Sequence, residues 1–389
     1  MKCIYFDINL LGIIISSCVI CICVILSYFD CQEPKQLECN SEPTIEISNQ
    51  SNLFNQIISN AIVNSKNVIK IAANNFSSTI FRTYYKSQLS EASKRGVKVI
   101  ILISESLRQE INNCLKISKI KVISSNTSMG FAIIDKAVYI FNEILNDASD
   151  SHSLLTTFYD CDMVHADISS FYDYQIMKIN QKLPYVIPIK QHAKTSVTRP
   201  MKLPIKMKSD NSNIPQTFYF FHNPISLGDP LRISTSNLIQ STIFYNSNKW
   251  PKDNVSLFTS LIPPYTNNNF SFYQTFTRVL MANTVNILYL IPKSELSRNS
   301  SIPWLSTTAA FENAQVYLYN EEFKGPNFIV IGNRAFVFSH PIDDNNVKYN
   351  LGLHYSTNSS QIVNLLLSFF KDVYANHSTQ YKISKAKKR

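Results

Sequence analysis

FAIIDKAVYIF (residues 131–141) and FIVIGNRAFVF (residues 328–338) are one pattern written twice in this chain. Each is an apolar run, a two-residue polar turn and a second apolar run, which reads as two strands joined by a tight turn. Asp135 and Asn333 take matching places, 198 residues apart. Working outward, GVKVIILI (residues 96–103) returns as TVNILYLI (residues 284–291), 188 residues on. NVIKI (residues 67–71) returns as NVSLF (residues 254–258), 187 residues on. One apolar run resembles another by chance, but three in the same order and spacing do not. The chain is therefore read as two homologous lobes, with a site expected where they meet.

The remaining elements agree with an α/β lobe. Residues 53–63 have helical spacing, 68–73 form a buried strand, 84–94 a helix and 97–103 a second strand. Strand, helix, strand in that order predicts parallel pairing. Residues 168–179 close lobe one as a helix. Lobe two repeats the plan with strands over 255–260 and 285–291. Its closing helix, 361–374, carries Ile362, Leu365, Leu366, Phe369 and Phe370 on one face. The expected fold class is α/β, two homologous lobes of strand-helix repeats with mixed sheets packed as a pseudo-dimer, preceded by a transmembrane helix. The expected boundaries are a cytosolic end 1–9, a signal anchor 10–29, a stalk 30–46, lobe one 47–180, a basic inter-lobe segment 181–213, lobe two 214–378 and a basic tail 379–389.

Composition narrows the chemistry. Glycine occurs 7 times in 389 residues, about a quarter of the usual share. Glycine-rich phosphate loops are thereby excluded, and no Walker A loop, dinucleotide fingerprint or G-x-S-x-G elbow is present. Residues 10–29 are an apolar run of bilayer-spanning length. Lys2 precedes it, while Asp30 and Glu33 follow. That asymmetry predicts an uncleaved type II anchor with the remainder in the secretory or endolysosomal lumen or outside the cell. Cys31, Cys39, Cys114 and Cys161 are the ectodomain's candidates for disulfides, and four cysteines leave the pairing open. N-x-[ST] sequons stand at Asn49, Asn75, Asn126, Asn254, Asn269, Asn299, Asn358 and Asn376. No Cys/His spacing fits a metal site, and no cofactor is implied.

One stretch concentrates the charge. Lys178, Lys182, Lys190, Lys194, Arg199, Lys202, Lys206 and Lys208 follow one another without an acidic residue, in a chain of net charge +10. Pro184, Pro188, Pro200 and Pro204 prevent a continuous helix there. The segment reads either as a solvated linker or as an extended cationic surface for phosphates. Lys190, His192, Lys194, Arg199, Lys202, Lys206 and Lys208 are then the binding candidates.

With the anchor, the Cys31/Cys39 stalk, the duplicated lobes and the two strand-turn-strand units in place, the chain resembles the phospholipase D superfamily over roughly residues 30–380. It is most similar to the type II membrane branch of lysosomal exonucleases acting on single-stranded nucleic acid. The resemblance implies one H-x-K-x4-D motif per lobe. One histidine attacks phosphorus, the other protonates the leaving oxygen, and the lysines neutralise the non-bridging oxygens.

Measured against that motif, the chain is depleted. Lobe one reads Ser128 for the histidine and Gly130 for the lysine, with Asp135 kept. Lobe two reads Pro326, Phe328 and Asn333. Loss of nucleophile and acid removes most of the rate enhancement, so a catalytically inactive binding protein is expected. His192-Ala193-Lys194 has H-x-K spacing without the acidic residue, and His340 is the fallback acid or base for an active phosphodiesterase. His165 and His354 read as structural residues preceding the closing helices. Candidate partners are the membrane, single-stranded nucleic acid or anionic phospholipid, another protein, and a second copy of the chain.

Overall fold

The structure is a computed structural model. It describes residues 38–39, 41–48, 51–73, 77–115, 119–124, 130–142, 152–181, 205–207, 216–221, 238–239, 241–243, 254–259, 272–282, 285–297, 302–323, 325–339, 342 and 353–382. Cys39–Arg389 form one compact unit. Residues 10–29, read as the anchor, lie outside the described residues. Among the described residues no helix is long and apolar enough to cross a membrane.

After the short β1 (Glu38–Cys39), lobe one runs β2 (Thr44–Ser48), α1 (Ser51–Asn64), β3 (Val68–Ala73), α2 (Lys86–Lys94), β4 (Lys98–Ile103), α3 (Glu105–Cys114), β5 (Lys121–Ser124), β6 (Gly130–Ile134), β7 (Ala137–Phe141), β8 (Ser153–Phe158) and α4 (Asp162–Gln181). Lobe two runs β9 (Ile205–Met207), β10 (Gln216–Phe221), β11 (Asn254–Phe258), α5 (Phe272–Met281), β12 (Asn286–Pro292), α6 (Ile302–Ala309), β13 (Ala314–Tyr319), β14 (Asn327–Ile331), β15 (Arg334–Phe338), β16 (His354–Thr357), α7 (Ser360–Asn376) and β17 (Ser378–Gln380).

The first sheet has the order β2-β8-β7-β6-β3-β4-β5, and the second β1-β9-β10-β16-β15-β14-β11-β12-β13-β17. Seven strands of the second, from β10 to β13, repeat the first strand for strand. In each lobe the strand-helix-strand units pair in parallel, β3 with β4 and β11 with β12. The hairpins β6–β7 and β14–β15 are antiparallel.

The strand sequences explain the layering. VIKIAA of β3 sends Ile69, Ile71 and Ala73 to the helix-covered outer face, and Lys70 and Ala72 to the inner face. The outer face is closed by Phe54, Ile58 and Ile62, one turn apart on α1. Inner-face residues of both lobes share one core with α4 and α7. Both faces are therefore buried, which accounts for the near-continuous apolar runs. Lys70 survives there because its ammonium donates to Asp173 Oδ1 and Oδ2 at 2.9 and 3.0 Å and to Ser169 Oγ at 2.9 Å. A buried ammonium without such partners would be strongly destabilising.

Several sequence expectations shift in detail. The helix expected over 84–94 is preceded by a helical turn (Ser78–Ile80) and a π-helical turn (Phe81–Tyr85). Tyr85 is fully buried there and its hydroxyl donates to Asn55 Oδ1 at 2.7 Å. The closing helix of lobe one starts at Asp162, six residues early, so His165 lies within it. His354 lies in β16. Lys206, placed in the inter-lobe segment, belongs to β9, which lies between the edge strand β1 and β10 in the second sheet. On α7, Leu365 and Phe369 are only partly buried, while Val363 and Val373 complete the buried face.

Candidate functional site at the ends of the paired hairpins

The two hairpins align by their ladders. Phe131 faces Ala72 and Ile140, and Phe328 faces Phe258 and Val337. The turns agree: Asp135 and Gly332 both have positive φ, 50° and 57°. This is the left-handed region that glycine and a few short polar residues tolerate. Gly332, not Asn333, is therefore the counterpart of Asp135. The second-copy positions expected at Pro326, Phe328 and Asn333 move back by one residue, to Gly325, Asn327 and Gly332.

Asp135 has a structural task that explains its presence without its motif partners. Its carboxylate accepts from the backbone N–H groups of Lys66 and Asn67 at 2.8 Å each, and of Val68 at 3.0 Å. Partial burial opposes ionisation, but these three donors and the Lys66 charge outweigh it and hold the carboxyl below its usual value of 3.8. The stability this contributes is present above pH 3.8 and is lost as the pH falls through the lowered folded value. Asp135→Ala is expected to cost about 1–3 kcal/mol, read as a lower urea midpoint at pH 7. That difference from the parent is expected to shrink below about pH 3.5.

At the opposite end of the hairpins the lobes meet. Thr156 on β8 and Tyr355 on β16 are equivalent positions, facing Ile140 and Val337 respectively. Their hydroxyls hydrogen-bond to each other at 2.8 Å, both buried, so the pseudo-twofold axis runs between them. Beside the axis, the start of β6 in lobe one approaches lobe two. A Cβ on Gly130 would stand 3.4 Å from Ser339 Cβ and 2.1 Å from the Phe141 carbonyl oxygen. The carbonyl of its own hairpin therefore fills the space where a side chain would begin. Asn327, the counterpart of Gly130, is buried and accepts from Thr259 Oγ1 at 3.2 Å.

Polar groups collect at this end, beyond the carboxyl ends of the parallel strands, where open α/β sheets commonly bind ligands. Asn142 and Ser339 are equivalent: their N–H groups donate to Leu154 O at 3.3 Å and Leu353 O at 3.2 Å. Asn142 Oδ1 accepts from Leu154 N at 2.6 Å, whereas its Nδ2 is buried without a partner among the described residues. The adjoining Ser153 Oγ and His152 Nδ1 are also buried and have no partner among the described residues. Native structures leave few such groups.

On the lobe-two side, aromatic rings crowd the equivalent position. A Cβ on Gly325 would meet Phe369 Cζ at 3.0 Å and Phe258 Cε1 at 3.5 Å. A histidine at 325 would have to displace Phe369. Phe369 packs on Phe258 at 5.2 Å and on Phe328 at 6.4 Å. His152 of lobe one lies against this wall, 5.2 Å from Phe369 and stacked at 5.5 Å on Phe323. His377 stacks on Phe323 at 3.8 Å. Burial holds the His152 imidazole below its ordinary value; Asp372 raises it and His377 lowers it further.

Of the residues singled out from sequence, the structure brings Gly130 together with lobe two and places Asp135 at the far, structural end. Ser128, His340, Lys190, His192, Lys194, Arg199, Lys202, Lys208 and Cys31 lie outside the described residues, as do Asn49, Asn75, Asn126, Asn269 and Asn299. Lys206 is described only as part of β9. Cys39 pairs with Cys161, and Cys114 is a free thiol. Asn254 and Asn376 are exposed, while Asn358 Oδ1 accepts from Thr217 N at 2.7 Å and Oγ1 at 3.0 Å. Among the described residues no acidic, histidine or cysteine cluster could hold a metal. His152, Ser153 and the Phe323–His377 stack carried no sequence signal, because they fall outside the repeated stretches.

Comparison with known proteins bears on the fold. A family profile described as "Transcriptional regulator TrmB, EBD N-terminal subdomain" matches residues 47–175, essentially lobe one. No curated protein matches the chain in sequence. Among solved structures, phosphatidylserine synthase from Haemophilus influenzae superposes with TM-score 0.56 at 11% identity, covering 87% of each chain. Polyphosphate kinase from Porphyromonas gingivalis gives TM-score 0.56 at 11% identity, covering 90% of this chain and 50% of its own. Nuc from Salmonella typhimurium, a phospholipase D family member, matches 34% of this chain at 18% identity and TM-score 0.29. At this identity the likeness of the first two concerns the fold alone: the chain shares the two-lobed α/β fold of phosphatidylserine synthase.

Proposed function

We propose that the chain is a binding protein that uses the phospholipase D scaffold without breaking phosphodiester bonds. Ser128, Gly130, Gly325 and Asn327 stand at the four positions where the superfamily motif has histidine or lysine. The observation that carries the reading is Gly130, whose side-chain space is taken by the Phe141 carbonyl. A lysine cannot reach a phosphate from a position that cannot hold a Cβ. What the hairpin ends retain is hydrogen-bonding capacity: Asn142 Nδ2 and Ser153 Oγ, buried without partners, fit the acceptor oxygens of a ligand. The basic run from Lys190 to Lys208 supplies the charge expected for a phosphate-rich ligand, single-stranded nucleic acid or anionic lipid. Residues 10–29 anchor the chain, with the lobes on the lumenal or outer side.

The test incubates purified full-length protein with labelled single-stranded DNA, and separately with phosphatidylserine vesicles, measuring retention and hydrolysis together. Retention that falls by about 10³-fold or more between roughly 50 and 200 mM salt, with no product, is the expected result. Product formation that co-purifies with the protein and disappears in His340→Ala would replace this reading with an active phosphodiesterase using displaced residues. Neither retention nor product would leave a protein–protein role.

A further inference from the structure

We propose that His152 is a pH-sensitive latch between the lobes, holding lobe one against the aromatic wall of lobe two while its imidazole is neutral. The geometry carries this. His152 precedes β8 in lobe one, yet its ring contacts are Phe323 and Phe369 of lobe two, at 5.5 and 5.2 Å. Phe369 in turn fills the space beside Gly325 and packs on Phe258. The imidazole thus reaches across the seam next to Asn142 Nδ2 and Ser153 Oγ, which have no hydrogen-bond partner among the described residues. His152 Nδ1 is buried and has no hydrogen-bond partner among the described residues. A neutral ring tolerates that at modest cost, but protonation would place a charged N–H there without an acceptor.

The surrounding charges do not reverse the balance. On α7 these are Lys371 and Asp372, with His377 following the helix. On the turn bearing Phe323 (Glu321–Phe323) they are Glu321 and Glu322. Asp372 favours the protonated ring, but its Oδ1 already accepts from Asn376 Nδ2 at 2.8 Å. His377, stacked on the same Phe323, becomes a like charge when it too is protonated. Glu321 accepts from Ser294 N at 3.1 Å, and Glu322 from Asn320 Nδ2 at 3.4 Å. Neither carboxylate is among the groups shifting His152, and burial outweighs Asp372.

The folded state therefore favours the neutral ring. The stability contributed by the latch is complete above the ordinary histidine value of 6.5 and is lost as the pH falls below it, since the unfolded chain binds the proton first. Acidification loosens the seam beside the polar cluster. This inference is independent of the binding proposal, because it requires no ligand.

The test uses the full chain, with no ligand added. The thermal midpoint is expected to fall between pH 7.5 and 5.5. In His152→Phe, which keeps the ring and removes the titration, about 2–4 °C of that fall is expected to disappear. Histidine-selective NMR gives a second readout on the unmutated protein, with His152 assigned by its loss in the variant. The His152 resonance should titrate below 6.5. An identical fall in the variant, or a His152 titration at or above 6.5, would overturn the proposal. If His152→Phe does not fold, His377→Gln provides the stability comparison: removing the like charge should raise the His152 titration point and reduce the acid loss, and no change in either would count against the latch.

Discussion

Gly130→Lys is expected to lower the stability of the protein by roughly 3 kcal/mol or more, and to restore no hydrolysis. The offending atom is the Cβ, which would stand 2.1 Å from the Phe141 carbonyl oxygen. Gly130→Ala should therefore cost nearly as much as the lysine variant. That similarity distinguishes a steric block from a missing charge. Relief requires β6 and β7 to separate where the hairpin is buried on both sides, and a packed interior does not yield locally. The check is a urea melt of both variants beside the parent. An alanine variant within about 0.5 kcal/mol of the parent would show that the strand end can move aside. The motif position would then be vacant but usable.

Reduction of the Cys39–Cys161 disulfide is expected to remove about 2–5 kcal/mol. The bridge spans a sequence separation of 122 residues, so it closes nearly the whole of lobe one into a loop. Long closed loops restrict the unfolded chain most. Both cysteines are also buried in the core shared by the two lobes, beside Val164 and Phe158. Thermal midpoints of oxidised and reduced protein, with Cys114 blocked beforehand, measure the effect. Equal midpoints would mean that packing alone holds β1 to the start of α4.

The hairpin repeat made the architecture legible because its apolar runs are strands buried on both faces, the clearest pattern a strand can write. β3 follows the expectation residue for residue, and it pairs in parallel with β4, which begins one residue later than expected. SLLTTF of β8 and HYST of β16 were harder to recognise. Their threonines and serines are buried at the lobe interface by tertiary packing, and Thr156 and Tyr355 find each other only in three dimensions. The one-residue slip in the second motif has a simple source. Asp135 and Asn333 are both polar residues of their turns, but the turn is set by backbone conformation, and Gly332 carries the positive φ. The expected motif positions could be placed from sequence only through the repeat, and the structure describes Gly130, Gly325 and Asn327 among them. The site was illegible in what it contains, because the His152–Phe323–His377 stack unites residues far apart in the chain and outside both copies of the repeat.

The hydrogen bond between Thr156 and Tyr355 bears on the history of the duplication. At a twofold axis, two identical lobes present the same residue to itself. Two copies of lobe one would set threonine against threonine and leave a gap; two copies of lobe two would drive a pair of tyrosine rings into one space. Only the unlike pair fills the axis and satisfies both hydroxyls. At this point of the interface the halves are complementary rather than interchangeable.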